Sequence, residues 1–382
     1  MVKAATFLAA LTLLVPAVPG QTTALIPSYK YVQTLVASTQ LEDKTYPMVP
    51  ILLRLGPTDL LVGYKRGYSH SGDREADFEI LRINPLTERI ESPATDLHAA
   101  GLNFQDGEFA RFANGEIACY VDIQAPGGQG AKRQTVRMGL REYRSKDGGR
   151  SFRDMGKVGV IDGVEYGYAF EAVTTGQTTY MLVMTFTNLP GGKKVSASAP
   201  QHAGSVDVIR SDDNGRSWHF VRNLSQEFGG LPINESSFVP YGDGFLVAAR
   251  GYGNHQWVER TDSAFRLQKQ VELNTAYPFI RSYVGRPRIF EHEGSYYLLG
   301  RNWPQDGPMK LSLFRLEPQT LTITKHVILD NAENEKVVDG YYAVPYWQER
   351  DGRSYLNVIT YKRMLGRLPD IIRLEFDWNE VR

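Results

Sequence analysis

Carboxylates at the openings of two strand-like segments are the first residues here with the makings of a reactive site. Asp106 and Glu108 lie in Phe104-Gln-Asp-Gly-Glu-Phe109, and Glu235 follows Asn234 in Asn234-Glu-Ser-Ser-Phe-Val239. A carboxylate that opens a largely apolar strand needs a partner or a function, because an unpaired buried charge is costly. Asp106 and Glu108 suit general acid/base work. Arg250 closes Phe245-Leu-Val-Ala-Ala-Arg250, and Arg286 and Arg288 flank Pro287. These arginines are anion ligands, or solvated, or paired with Glu171 or Glu108. Tyr341, one of 21 tyrosines, follows Gly340 at a strand start, where a ring either packs or faces a pocket. Asp73 lies in a polar loop, where solvation is the default. The 7 histidines show no metal-ligand spacing, and the lone Cys119 excludes an intrachain disulfide or a Cys-based zinc site. No metal and no cofactor is expected. His255 in Gly253-Asn-His-Gln-Trp257 is a loop histidine that, with a tyrosine, would suit a uronate lyase. There is no phosphate loop, dinucleotide fingerprint or Gly-x-Ser-x-Gly elbow.

The elements that must position these residues recur. Six strand-like segments begin at Met48, Asp106, Tyr168, Asn234, Gly285 and Tyr341, and each is followed within a few residues by a more apolar run. Each unit but the last then carries a hairpin-like turn, as at Asn84-Pro-Leu-Thr87 and Glu317-Pro-Gln-Thr320. Units of roughly 60 residues suit four-stranded blades with generous loops, which bury their faces only by stacking around an axis. The strand-like Tyr31–Val36 precedes the first unit and is expected to supply the outer strand of the last blade. A two-sheet sandwich is the competing arrangement, but the six-fold count favours a propeller.

The chain has 382 residues with 43 basic against 43 acidic side chains, a balance that argues against a nucleic-acid binder. Lys3, the apolar run Ala4 to Val18 and Pro19-Gly20 read as a signal peptide over 1–20. That run is short of the roughly 20 residues a membrane span needs. Export to a secreted or periplasmic location follows, without stable membrane association, as a single domain over 21–382 and a monomer.

Two turns are more specific than the others. Ser145-Lys-Asp147-Gly-Gly149-Arg-Ser-Phe152 and Ser211-Asp-Asp213-Asn-Gly215-Arg-Ser-Trp218 both read S-x-D-x-G-x-x-[FW]. Asp can accept turn N–H groups, Gly takes the positive-φ position, and the aromatic docks between sheets. In these turns the sequence resembles the Asp-boxes of the sialidase superfamily, across essentially the whole mature length. The resemblance implies a six-bladed β-propeller with an axial pocket where the inner strands begin. It makes Asp147 and Asp213 structural.

The resemblance further implies an arginine triad for a substrate carboxylate, a Tyr nucleophile activated by a Glu, and an Asp acid/base. By position, Glu235 looks like the activating Glu, Arg250 like the second triad arginine and Arg286 like the third, with Arg288 as a rival. Tyr341 resembles the nucleophile, with Tyr342 as the alternative. Asp73 matches the acid/base, and His70, Glu75 and Asp77 in the same loop are the alternatives for that role. Two positions depart from the family pattern. Met48-Val49-Pro50 stands where the first triad arginine belongs, and Thr360-Tyr361-Lys362 where its carboxylate partner belongs. Lys362 or Arg66 would restore a cation as a point charge, not as a bidentate fork. The expected activity is hydrolysis of a terminal acidic sugar, sialic acid or a uronic acid, from an extracellular glycan. The alternatives are elimination from a uronate, or carbohydrate binding without catalysis.

Overall fold

The computed structural model describes residues 24–91, 95–127, 134–185, 205–303, 308–330 and 335–382; the expected signal peptide lies outside them. Among the described residues six antiparallel blade sheets follow one another, five built on four consecutive strands and the sixth on the last three plus the first. Blade one carries a further short strand, Thr95–Leu97, and Val160–Ile161 pairs with Val164–Glu165 in a separate two-stranded sheet. The inner strands are Tyr46–Gly56, Asn103–Arg111, Tyr168–Thr175, Ile233–Tyr241, Val284–His292 and Val337–Arg350. Each packs against the inner strands of both neighbours, so the ring closes. The protein is a six-bladed β-propeller. Tyr31–Val36 pairs antiparallel with Asp370–Asp377 and completes the sixth blade, as expected, tying the two ends of the described chain together.

Alternating apolar residues on these strands fill the spaces between blades. Phe290, Tyr297, Trp347 and Trp378 pack between the fifth and sixth, and Phe238, Phe245 and Phe265 pack beside the fourth. Both Asp-centred turns join the third and fourth strands of their blades and close in the same way. Asp147 Oδ1 accepts from the N–H groups of Arg150 and Ser151 at 2.9 and 3.0 Å, and Asp213 Oδ1 from those of Arg216 and Ser217 at 3.0 and 2.9 Å. The second turn also latches blades: Arg144 of blade two donates to the Asn214 carbonyl at 2.7 Å.

One irregularity recurs in all six inner strands near the start. The register breaks between Met48 and Ile51, Phe104 and Gly107, Ala169 and Glu171, Ile233 and Ser236, Gly285 and Arg288, and Gly340 and Ala343. A bulge puts extra residues opposite one partner and re-aims the side chains that follow. In three blades the bulge holds a non-glycine residue at positive φ: Val49 (50°), Arg286 (40°) and Tyr341 (65°). Such conformations cost energy and concentrate where geometry matters for function.

Candidate functional site

The sixth-blade bulge decides which of two adjacent tyrosines reaches the axis. Gly340 precedes it with φ 151°, and a Cβ there would lie 2.7 Å from the Tyr361 carbonyl oxygen. The chain therefore comes too close to its neighbour for any other residue. Tyr341, at positive φ, turns its ring into the core between blades five and six, where it is 0% exposed among Leu311, Leu313 and Val358. Its hydroxyl lies beside Asp330, and burial pushes its phenol well above the ordinary value. Tyr342 goes the other way. Its hydroxyl donates to Glu235 Oε1 at 2.7 Å and accepts from Arg250 Nη1 at 3.2 Å. The structure thus brings Glu235 and Arg250 together with Tyr342, and places Tyr341 elsewhere.

Glu235 is the hub. Its Oε2 accepts from Arg250 Nη1 and from the backbone N–H of Arg286 at 2.9 Å. Burial works to raise its carboxyl, but the Arg250 and Arg301 charges and these donors outweigh it and hold the group at about 2. Burial pushes the Tyr342 phenol up, with Glu235 adding to the effect and Arg301 opposing it. The proton therefore rests on the phenol. The stability consequence has a definite sign. A carboxylate at the ordinary 4.5 when unfolded and about 2 when folded contributes fully above pH 4.5, and that contribution fades as pH falls through about 2. Urea unfolding across that range should show wild type and Glu235→Gln converging in stability as the pH drops. A constant gap would show that the ion pair does not carry the difference.

Arg301 was not singled out from the sequence, yet it belongs to this cluster. It ends Tyr297-Leu-Leu-Gly-Arg301 as Arg250 ends Leu246-Val-Ala-Ala-Arg250, so aligning the repeats would have found it. Its guanidinium lies over the Tyr342 ring, 4.2 Å from the centroid, while Arg250 stacks on Tyr283 at 3.8 Å. Arg301 is 4% exposed and, among the described residues, makes one ion pair, with Asp339 at 3.6 Å, beyond hydrogen-bond length. Its Nε is buried with no hydrogen-bond partner among the described residues. A desolvated guanidinium with donors to spare beside a phenol is a ready anion site.

The other expected cations are occupied. Arg286 donates to Tyr168 Oη at 2.6 Å, to the Gly107 carbonyl at 3.0 Å and to Glu108 at 3.3 Å. Arg288 bridges Glu108 at 2.7 Å and Glu171 at 2.6 Å, so the pair ties blade five to blades two and three. Of the two, only the Arg286 backbone touches the cluster. Lys362 pairs with Asp330 at 2.8 Å, and Arg66 with Glu79 at 2.6 Å and the Asp43 carbonyl. Neither replaces the guanidinium missing at Met48, which is wholly buried among apolar neighbours.

The loop after blade one's second strand is also sorted by its contacts. Asp73 is 2% exposed, paired with the buried Lys65 at 2.9 Å and bonded to the Ser69 hydroxyl at 2.7 Å. Glu75 and Asp77 bind Lys44, at 3.4 and 2.7 Å. His70 faces the cluster instead, its ring edge-on to Tyr342 with centroids 6.1 Å apart. Asp106 is almost wholly buried within the influence of Arg286, Lys65, His70 and Glu235, and burial raises its carboxyl. Its Oδ1 has no partner among the described residues. His255 pairs with Glu272 and stacks on Trp257, apart from this network. Among the described residues no group of three or more His, Cys, Asp or Glu could hold a metal ion.

No protein-family model matches the chain, and no curated protein does. Solved structures do resemble it. A protein of unknown function from Dyadobacter fermentans aligns over 91% of this chain and 99% of its own, with 14% identity and TM-score 0.63. A mutant of the NanB sialidase from Streptococcus pneumoniae aligns over 92% of this chain and 71% of its own, with 11% identity and TM-score 0.63. The intramolecular trans-sialidase from Ruminococcus gnavus, solved with oseltamivir carboxylate, covers 88% and 95%, with 11% identity and TM-score 0.56. At such identities the likeness establishes a sialidase-like propeller fold.

Proposed function

We propose that the protein is a retaining glycoside hydrolase that removes a terminal acidic sugar from a glycan, with Tyr342 as nucleophile. The observation that carries this reading is the Tyr342 phenol, bonded to Glu235 at 2.7 Å and flanked by Arg250 and Arg301. A phenol is a poor nucleophile until a base takes its proton as the new bond forms. Glu235 stands in place for that transfer, and Arg250 donates to the same oxygen. With the proton resting on the phenol, transfer must run together with carbon–oxygen bond formation.

Arg301 indicates the substrate. A carboxylate held by a guanidinium stacked on the nucleophile's own ring lies next to the reacting carbon. That suits a sugar whose acid group is borne by the anomeric carbon, as in a sialic acid, better than a uronic acid with its carboxyl across the ring. A neutral nucleophile also fits, since an anionic one would be repelled by that carboxylate; sialidases with a Tyr nucleophile are a known departure from the two-carboxylate scheme. Asp106, whose carboxyl burial raises, has an Oδ1 without a partner among the described residues, available to a sugar substituent. Export through the 1–20 segment would bring the enzyme to extracellular glycans.

The test uses 4-methylumbelliferyl α-glycosides of N-acetylneuraminic acid and of uronic acids, together with a fluorinated sialosyl fluoride as a trap. Fluorophore release and a mass increment on the peptide bearing Tyr342 are expected. Turnover with a label on another residue would refute the nucleophile. His70 beside Tyr342 is the arrangement that favours elimination as a second reading, and an unsaturated product absorbing in the ultraviolet would select it.

A further inference from the structure

We propose that His70, oriented by Asp339, is the proton donor and acceptor of this reaction, in the place expected for Asp73. The inference rests on Tyr342 being the nucleophile. Asp73 is excluded by its surroundings: Lys65 neutralises it, the Tyr68 and Ser69 N–H groups bond it at 3.2 and 3.3 Å, and a Cβ at Gly67 would overlap its Oδ2. That carboxylate holds the loop closed and has nothing left to give. The same loop delivers His70. Lys65 Nζ donates to the Ser69 carbonyl at 3.1 Å and Gln105 Nε2 to the His70 carbonyl at 2.8 Å, so the histidine backbone is pinned to blades one and two.

The ring is set from blade six, the neighbour on the other flank of blade one. His70 Nδ1 lies 2.9 Å from Asp339 Oδ2, and Asp339 also accepts from Tyr46 at 2.7 Å and Tyr361 at 2.8 Å. Burial works to raise the Asp339 carboxyl, but the bond to His70, the nearby charges and the Tyr46 hydroxyl outweigh it and keep it well below the usual carboxylate range. An ionised Asp339 accepts the proton on Nδ1 and leaves Nε2 as the exchanging atom, with no hydrogen-bond partner among the described residues. A leaving group extends from the well toward solvent, so its proton donor must be near the mouth. The His70 side chain is 40% exposed, whereas Asp73 and Asp106 are buried.

The chemistry balances. In the first step the bond from the anomeric carbon to the leaving oxygen breaks, Nε2–H of the imidazolium protonates that oxygen, and Tyr342 Oη bonds the carbon while its proton passes to Glu235. In the second, neutral Nε2 takes a proton from water as the water oxygen attacks the same carbon. As that bond forms, the bond from the carbon to Tyr342 Oη breaks and the phenol recovers its proton from Glu235. The groups around the His70 ring are Asp339, Tyr342 and Tyr361 from blade six and Asp106 from blade two. Lys65 of its own blade reaches the His70 backbone carbonyl, and Arg301 of blade five pairs with the Asp339 that orients the ring.

The test compares His70→Gln with wild type on 4-methylumbelliferyl α-N-acetylneuraminide, whose leaving group needs little protonation, and on 3′-sialyllactose, whose leaving group needs it. A loss of about 10²–10⁴-fold in kcat/KM on the lactoside and of about tenfold or less on the aryl glycoside is expected. Sodium azide, a nucleophile needing no base, should restore aryl turnover of the variant and yield the sialosyl azide. The basic limb of the lactoside pH profile should disappear in the variant. Equal losses on both substrates, or a leaving-group dependence and azide rescue in Asp106→Asn but not in His70→Gln, would overturn the assignment while leaving Tyr342 in place. A wild-type protein that cleaves neither these nor uronic glycosides would overturn the hydrolase reading, and this inference with it.

Discussion

Tyr342→Phe should lower kcat on any accepted glycoside by roughly four orders of magnitude or more, the scale seen when a covalent nucleophile is removed. It should do so with little change in ligand affinity, because the ring that Arg301 covers stays in place. Tyr341→Phe should leave kcat and KM near wild type and change stability by about 1 kcal/mol or less, because the buried hydroxyl beside Asp330 has no hydrogen-bond partner among the described residues and Asp330 keeps its bond to Lys362. The contrast isolates the sixth-blade bulge as the device that selects one phenol over its neighbour. If Tyr341→Phe abolished turnover and Tyr342→Phe did not, the bulge would be pointing the wrong ring and the nucleophile assignment would fall. Intact-mass detection of the trapped enzyme checks the same point without steady-state rates. Wild type and Tyr341→Phe should carry the label, and Tyr342→Phe should not.

The bulge also explains how much of the site was legible in the sequence. Repeats with alternating apolar residues, and two turns of one pattern, imply a ring of blades, and the strand expected to close it does so. Glu235 and Arg250 were legible because each sits where the unit opens or ends a strand. Tyr341 against Tyr342 was not. Side chains alternate with period two, so one register shift exchanges the core face for the axial face. Nothing in Gly340-Tyr341-Tyr342-Ala343 announces that both tyrosines lie opposite Tyr361. Arg286 and Arg288 misled for a related reason. They do open an inner strand, but Glu108 and Glu171 on neighbouring blades capture their guanidinium groups. In the 70–77 loop, composition offers His70, Asp73, Glu75 and Asp77 as candidate proton donors, and only the resemblance puts Asp73 first. The choice among them is made by Lys65, on the second strand of blade one, and by Lys44, in the segment just before the first, neither of which belongs to the loop itself.

Arg301→Met should weaken binding of an acidic ligand by about 10²-fold or more, since truncating one partner of a buried charge pair at a binding site costs about 2–5 kcal/mol. The informative comparison is with the methyl ester of the same ligand. Wild type should bind the ester about as weakly as the variant binds the acid, and the variant should not distinguish them. Stability should move differently. Arg301 gives the fold one long ion pair and no hydrogen bond among the described residues, while Asp339 keeps its bonds to Tyr46, Tyr361 and His70. Removing the guanidinium withdraws a charge from Glu235 but strands no hydrogen-bonded partner, and Arg250 and the Arg286 N–H still hold that carboxylate. The change in unfolding free energy should therefore stay within about 1 kcal/mol. Arg250→Met is the counterexample. Its guanidinium is bonded to Glu235, and its loss strands a buried carboxylate, at a cost of about 3–5 kcal/mol. A cation that weighs on ligand affinity and hardly at all on folding is held for the ligand. Equal losses by Arg301→Met on acid and ester would instead mean that Arg301 serves only to position Tyr342, and the case for an acidic substrate would lose its main support.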